Sequence, residues 1–232
     1  MYWDYYFLGI VLLPGLLLAI YAQTKVSSTY HKFSQVVAEI GKPAHEIARL
    51  FLDTAGLHNI QIVKIKGHLT DYYDHKNKII ALSESVYDSN SIAAIGVACH
   101  EVGHALQYQN DYLPIKARNI IIPVCNFANR MLWVLLFLGA IFFYTGFGLT
   151  FMWLGVGVFA LSVVLNLVTL PVEYNASRRA TELLASSSIL TADEVDGTKK
   201  VLNAAALTYV ASLVISILNL VRLLLTFLAN KD

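Results

Sequence analysis

Charge is what this sequence has least of. Only 14% of its 232 residues are Asp, Glu, Lys or Arg, against 56% apolar ones, and the mean hydropathy is +0.57. An ordinary soluble domain carries about 25% charged residues, so the chain is read as a membrane protein. Seventeen basic and sixteen acidic side chains nearly cancel, which leaves no electrostatic footprint for nucleic acid. Cysteine is scarce too. Cys99 and Cys125, without C-x-x-C spacing, exclude a disulfide framework or a second metal site and read as buried thiols. Histidine forms one close pair rather than several boxes, which argues against a membrane di-iron oxidase. No Lys or Arg precedes the first apolar run, so the basic leading region of a signal peptide is missing.

Long uncharged runs are what the chain has instead. Tyr5–Thr24 is read as an uncleaved anchor. Met131–Val172 would extend about 63 Å as helix, two crossings of a hydrocarbon core ~30 Å thick, so it must fold back. Tyr144-Thr145-Gly146-Phe147-Gly148 offers glycines for that turn. Val201–Val221, followed by Arg222, makes a fourth helix. These runs divide the chain into an anchor (1–24), a polar α+β segment (25–130), a transmembrane hairpin (131–172), a polar helix (173–200) and a C-terminal span (201–232). Lys25, Lys116, Arg118, Arg130, Arg178, Arg179, Lys199 and Lys200 all fall on the polar segment's side of their nearest spans. The positive-inside rule then predicts that this segment is cytoplasmic and the N-terminus outside.

Within the polar segment, Lys32–Leu57 has helical spacing broken at Gly41-Lys42-Pro43 and ended by Gly56. Asn59–Ile65 and Lys78–Ser83 read as strands joined by a polar loop, Gly67–Asn77. The second strand either offers its edge to an extended peptide or closes a small meander. Asp88-Ser89-Asn90-Ser91 supplies N-cap residue types, and the apolar stretch that follows predicts a buried helix from Ile92 to Gln109.

That helix carries His100-Glu101-Val102-Gly103-His104. Residues four apart share a helical face, so both imidazoles can aim at one Zn²⁺ while Glu101 takes a proton from the attacking water. Random placement of the seven histidines and seven glutamates would produce this pattern on the order of 0.006 times, so composition does not account for it. Gly103 costs its helix about 1 kcal/mol relative to Ala, which points to close approach of another backbone.

A catalytic zinc takes three protein ligands. Glu173 is the best candidate for the third, because two crossings return the chain to the side it left and Pro171 should kink or restart the helix there. His68 and His75 flank an Asp/Tyr-rich loop and are left outside the site as solvated residues. Asn175, Arg178 and Arg179 follow Glu173 on a helix; any one of them could face an oxyanion, but they read better as a basic helix end at the membrane surface.

These stretches, with Leu170-Pro171-Val172-Glu173-Tyr174-Asn175-Ala176-Ser177-Arg178-Arg179-Ala180 and Gly67–Asp74, resemble the bacterial membrane zinc metallopeptidases of the YugP type over most of the chain. A more distant resemblance is to the HtpX and Ste24 group of membrane gluzincins. Carried over, it implies His100, His104 and Glu173 as ligands of one zinc per chain and Glu101 as general base. Ser177 stands where the distant group has an Asp that would accept a hydrogen bond from a ligand histidine.

The expectation is an α-helical protein of about four spans with a small α+β zincin-like unit. It would hydrolyse peptide bonds of membrane-associated or unfolded proteins, at the cytoplasmic face of the plasma membrane. Its partners would be a peptide or protein substrate and the bilayer, with an adaptor or a second copy also compatible. A zinc-stabilised scaffold and a lipid-directed zinc hydrolase are the alternatives.

Overall fold

The computed structural model describes residues 9–142 and 145–229. Its elements in chain order are α1 (Leu13–Ser34), α2 (Ala44–Thr54), β1 (Gln61–Ile65), β2 (Tyr72–Asp74), β3 (Ile79–Ser83), α3 (Ile92–Gln109), α4 (Leu113–Ile141), α5 (Gly146–Ser186) and α6 (Ala192–Ala229). The chain forms two compact units. One is drawn from Met1–Tyr21, Pro114–Leu170 and Thr208–Asp232, the other from Ala22–Leu113 and Pro171–Leu207.

The first unit holds most of α4, the part of α5 up to Leu170 and the part of α6 from Thr208. Among the described residues, Leu113–Gly139, Trp153–Ser186 and Ala192–Thr226 are long and apolar enough to cross a membrane. Their side chains behave accordingly: Trp133 is 77% exposed and Phe137 67%, a surface that only lipid tolerates over such an extent. Of the expected anchor, Tyr5–Leu8 lie outside the described residues, and the rest enters α1. The hairpin turn differs from expectation. Tyr144 lies outside the described residues, while Gly146 and Gly148 are the first residues of α5, not its approach. Pro171 does not interrupt α5 either, which runs through it as one helix.

The second unit is built around α3. Ser91 caps it, its side chain accepting from Ala94 N–H at 3.2 Å. The preceding chain is pinned by Val36–Ala38, through Ala38 N–H to Asn90 O at 2.9 Å and Ile92 N–H to Val36 O at 3.0 Å. That pinning replaces part of an expected helix: α1 stops at Ser34, because residues 36–38 spend their backbone groups on the segment entering α3. The helix after the break, α2, buries Ile47, Phe51 and Leu52.

The sheet has the order β1-β3-β2. β1 pairs parallel to β3, with Gln61 opposite Ile79 and Ile65 opposite Ser83, and β2 pairs antiparallel on the other side. The two expected strands therefore do not form a meander. β3 has both edges filled, so it has none to offer a peptide; the open edges belong to β1 and β2. A parallel pair needs a long crossover, and the loop expected between the strands contributes β2 from within it. Ile80, Leu82, Val86, Ile95, Val102 and Leu184 share one core, each fully buried aliphatic side chain contributing about 1.5–3 kcal/mol.

Gly103 is where α3 meets α5. A Cβ placed on it would lie 2.5 Å from the Ala176 carbonyl oxygen. The neighbour is backbone and cannot swing away. Gly103→Ala would gain about 1 kcal/mol of helix propensity but incur overpacking of about 1–3 kcal/mol, so the expected net result is a lower thermal unfolding midpoint. An unchanged or higher midpoint in a detergent melt would show that the two helices can separate at no cost.

Candidate metal centre

Three side chains converge at this contact. His100 and His104 project from one face of α3, their rings 4.7 Å apart and nearly perpendicular. From α5, Glu173 brings its Oε2 to 3.3 Å from His100 Nε2 and 3.5 Å from His104 Nε2. The possible donor atoms of the three residues all lie within 4.8 Å of one another. Glu173 is 3% exposed. It therefore lies between the imidazoles, not on the surface as a polar helix end.

The far nitrogen of each ring is also held. His104 Nδ1–H donates to Gln107 Oε1 at 3.0 Å, and His100 Nδ1 lies 3.1 Å from Ser177 Oγ. His104, whose Nδ1 donates to an amide oxygen, has its Nε2 left to face the site, and His100 turns its own Nε2 toward the same carboxylate oxygen. Two imidazole nitrogens and a buried carboxylate oxygen make a donor set suited to Zn²⁺. Ser177 does reach His100 from the position where the distant group has Asp, with a neutral hydroxyl.

Gln107 has a second task. Its amide donates to Val172 O at 2.7 Å and to Asn175 Oδ1 at 3.0 Å, and Arg179 Nε–H donates to Asn175 Oδ1 at 2.9 Å. One fully buried amide thus positions a histidine and ties α3 to α5 beside Glu173. Asn175 and Arg179 are committed to this chain of bonds, and Arg178 faces solvent with Glu182. The sequence reading passed over Gln107, although it stands three residues after His104, on the same helical face.

Glu101 is 6% exposed, and among the described residues its carboxylate accepts no hydrogen bond. Burial pushes its pKa above the usual carboxylate range; the neighbouring His104 and His100 pull it back, while Glu173 and Asp71 add to the rise. Burial works against protonating His104, but Glu173, Glu101 and Gln107 outweigh it and hold the imidazole above its usual range. Asp71 itself is occupied, accepting from Ser83 N–H at 2.7 Å and from Ser83 Oγ. His75 stacks on Tyr108 and His68 meets the edge of Tyr30. Cys99 and Cys125 are buried and free.

Residues 8–228 match the family described as "Putative neutral zinc metallopeptidase". The chain belongs to this family. It is 43% identical over 215 residues to a Bacillus subtilis protein described as "Putative membrane protease YugP", covering 93% of this chain and 94% of the relative. The resemblance to the YugP type drawn from the motifs therefore holds across nearly the whole chain. No solved structure matches it.

Because Gln107 serves both the ring of His104 and the α3–α5 junction, Gln107→Leu should weaken zinc binding by about 10–100-fold. Competition with a chelator measures it. Wild-type affinity in that variant would mean that the amide orients nothing.

Proposed function

We propose that this chain is a gluzincin-like, membrane-embedded peptidase that holds one zinc per chain with His100, His104 and Glu173 and uses Glu101 as its general base. The observation that carries this reading is the convergence of both Nε2 atoms on Glu173 Oε2 with each Nδ1 already engaged. Zinc would supply Lewis acidity there, acidifying water toward pKa ~7 and polarising a scissile carbonyl. Glu101, largely buried and without a hydrogen-bond partner of its own among the described residues, takes the proton of the attacking water and later delivers it to the leaving amine. Ser177 and Gln107 hold the two rings in the orientation that turns each Nε2 toward Glu173. A zinc-stabilised scaffold would have no use for a carboxylate buried at that position.

Substrate enters as extended chain. The outer edge of β2 is the open edge nearest the metal centre, since the rings of Tyr73 and His75 pack on Tyr108 of α3. Main-chain pairing there would select unfolded or membrane-associated segments over folded proteins. The lopsided placement of Lys and Arg near the apolar runs supports a zincin-like unit on the cytoplasmic face of the plasma membrane, carried by four spans.

Glu101→Gln should abolish peptide hydrolysis while retaining about one zinc per chain, and Glu173→Ala should lose both. If Glu173→Ala kept wild-type zinc content, the third ligand would lie elsewhere; a surface ion pair is worth only about 0–1 kcal/mol and its loss would leave the metal in place. Activity of Glu101→Gln within a fewfold of wild type would remove Glu101 from the mechanism.

The topology has its own test. Single cysteines introduced at Asp111 and at Gly146, in a background lacking Cys99 and Cys125, should be labelled from opposite sides of intact cells, Gly146 from outside. Labelling of both from the same side would refute the hairpin.

A further inference from the structure

A second site lies apart from the metal centre, where the last turns of α1 face the first turns of α6. The cavity there has a volume of about 840 Å³, and Lys25, Lys32 and Lys200 line it together with Thr29, Asn203 and Leu207. Among the described residues no Asp or Glu lines it. Asp196 holds Lys200 Nζ at 2.5 Å as an exposed i,i+4 pair; such pairs are weak and screened by salt. Gly197 keeps the two helices close behind the cavity, since a Cβ on it would lie 3.0 Å from the Phe33 ring.

The three cations sit on two different helices, so nothing in helix formation itself requires them to meet. Bringing like charges together raises the energy of the fold unless an anion lies between them. Lys32 leans over the ring of Phe33 at 5.3 Å, and Thr29 and Asn203 add a hydroxyl and an amide of the kind that binds phosphate oxygens. The shared chemistry is that of a phosphate group.

Position in the sequence decides which phosphate. Lys25 is the first charge after the uncharged stretch Tyr5–Thr24, and Lys200 the last before Val201–Val221. Both therefore sit where helices leave the hydrocarbon, the depth at which lipid headgroups lie. The cavity is also far larger than one phosphate ion fills and is of the size that holds an organic ligand, and its wall continues through Ala204 and Leu207 into the apolar helix. From this geometry we propose that the cavity binds the headgroup of one anionic phospholipid, the lysines taking the phosphate and the apolar wall the start of an acyl chain. Tyr174 lines the same cavity and is the next residue after Glu173, so an occupied site buttresses α5 where the carboxylate is presented.

Native mass spectrometry of the full-length chain in neutral detergent tests this, with dioleoylphosphatidylglycerol and dioleoylphosphatidylcholine as probes. One phosphatidylglycerol should stay bound per chain under conditions that strip phosphatidylcholine. Lys25→Gln/Lys32→Gln/Lys200→Gln should weaken that binding roughly tenfold or more, and the corresponding triple Arg variant should keep it. Lys76→Gln/Lys78→Gln, which removes charge from the turn between β2 and β3, should leave it unchanged. Equal retention of both lipids, or a triple Gln variant that binds as wild type, would overturn the proposal. Displacement of phosphatidylglycerol by millimolar inorganic phosphate would overturn it in favour of a soluble phosphate ligand.

Discussion

The contact of α3 with α5 at Gly103 is the constraint on which the rest of the site depends. A carboxylate can join two histidines sixty-nine or more positions earlier in the chain only if the two backbones come within the reach of a Glu side chain, and any Cβ at Gly103 would meet the Ala176 carbonyl first. Gln107 then sets the register. Its bonds to Val172 O and Asn175 Oδ1 bracket Glu173 on the facing helix. A one-residue slip would rotate Glu173 by about 100° away from the imidazoles.

Burying the Glu101 and Glu173 carboxylates side by side is costly unless positive charge accompanies them. The pocket shows the strain of that demand in both directions: burial raises Glu101 and the two acids hold His104 up. In the proposed reading, a divalent cation held by His100, His104 and Glu173 would offset both carboxylates. The same electrostatic logic, with the signs reversed, underlies the anion proposed for the cavity that Lys25, Lys32 and Lys200 line.

Much of this was legible in the sequence, for local reasons. Ser91 and Asn110 delimit α3 by cap chemistry, and Gly103 announced a close approach because a mid-helix glycine costs stability that some contact must recover. Glu173 could be reached only by counting crossings, a topological step that used the length of the apolar run. What stayed hidden depends on partners remote in sequence. The parallel pairing of β1 with β3 follows from burial of Ile80 and Leu82 against α3, not from the turn residues between the strands. β2 has only three residues, too few for a periodic signal. The early end of α1 is caused by pairing with Asn90 and Ile92, and the importance of Gln107 by a helix that arrives sixty-five residues later.

Helix length bears on where along α5 the proposed third ligand can stand. α5 has 41 residues, about 61 Å of helix, roughly twice the hydrocarbon thickness, so it cannot be wholly immersed. Its uncharged part, from Gly146 to Val172, accounts for about 40 Å, close to the full thickness of a bilayer with its interfacial layers. Glu173 is the first charge beyond that stretch. The proposed third ligand is thus also the first charge after the uncharged part of α5, and a carboxylate one turn earlier would stand within that apolar stretch. A turn later, it would pass the histidines that α3 holds fixed. In the proposed reading, the position of Glu173 therefore satisfies the apolar stretch of α5 and the donor set together.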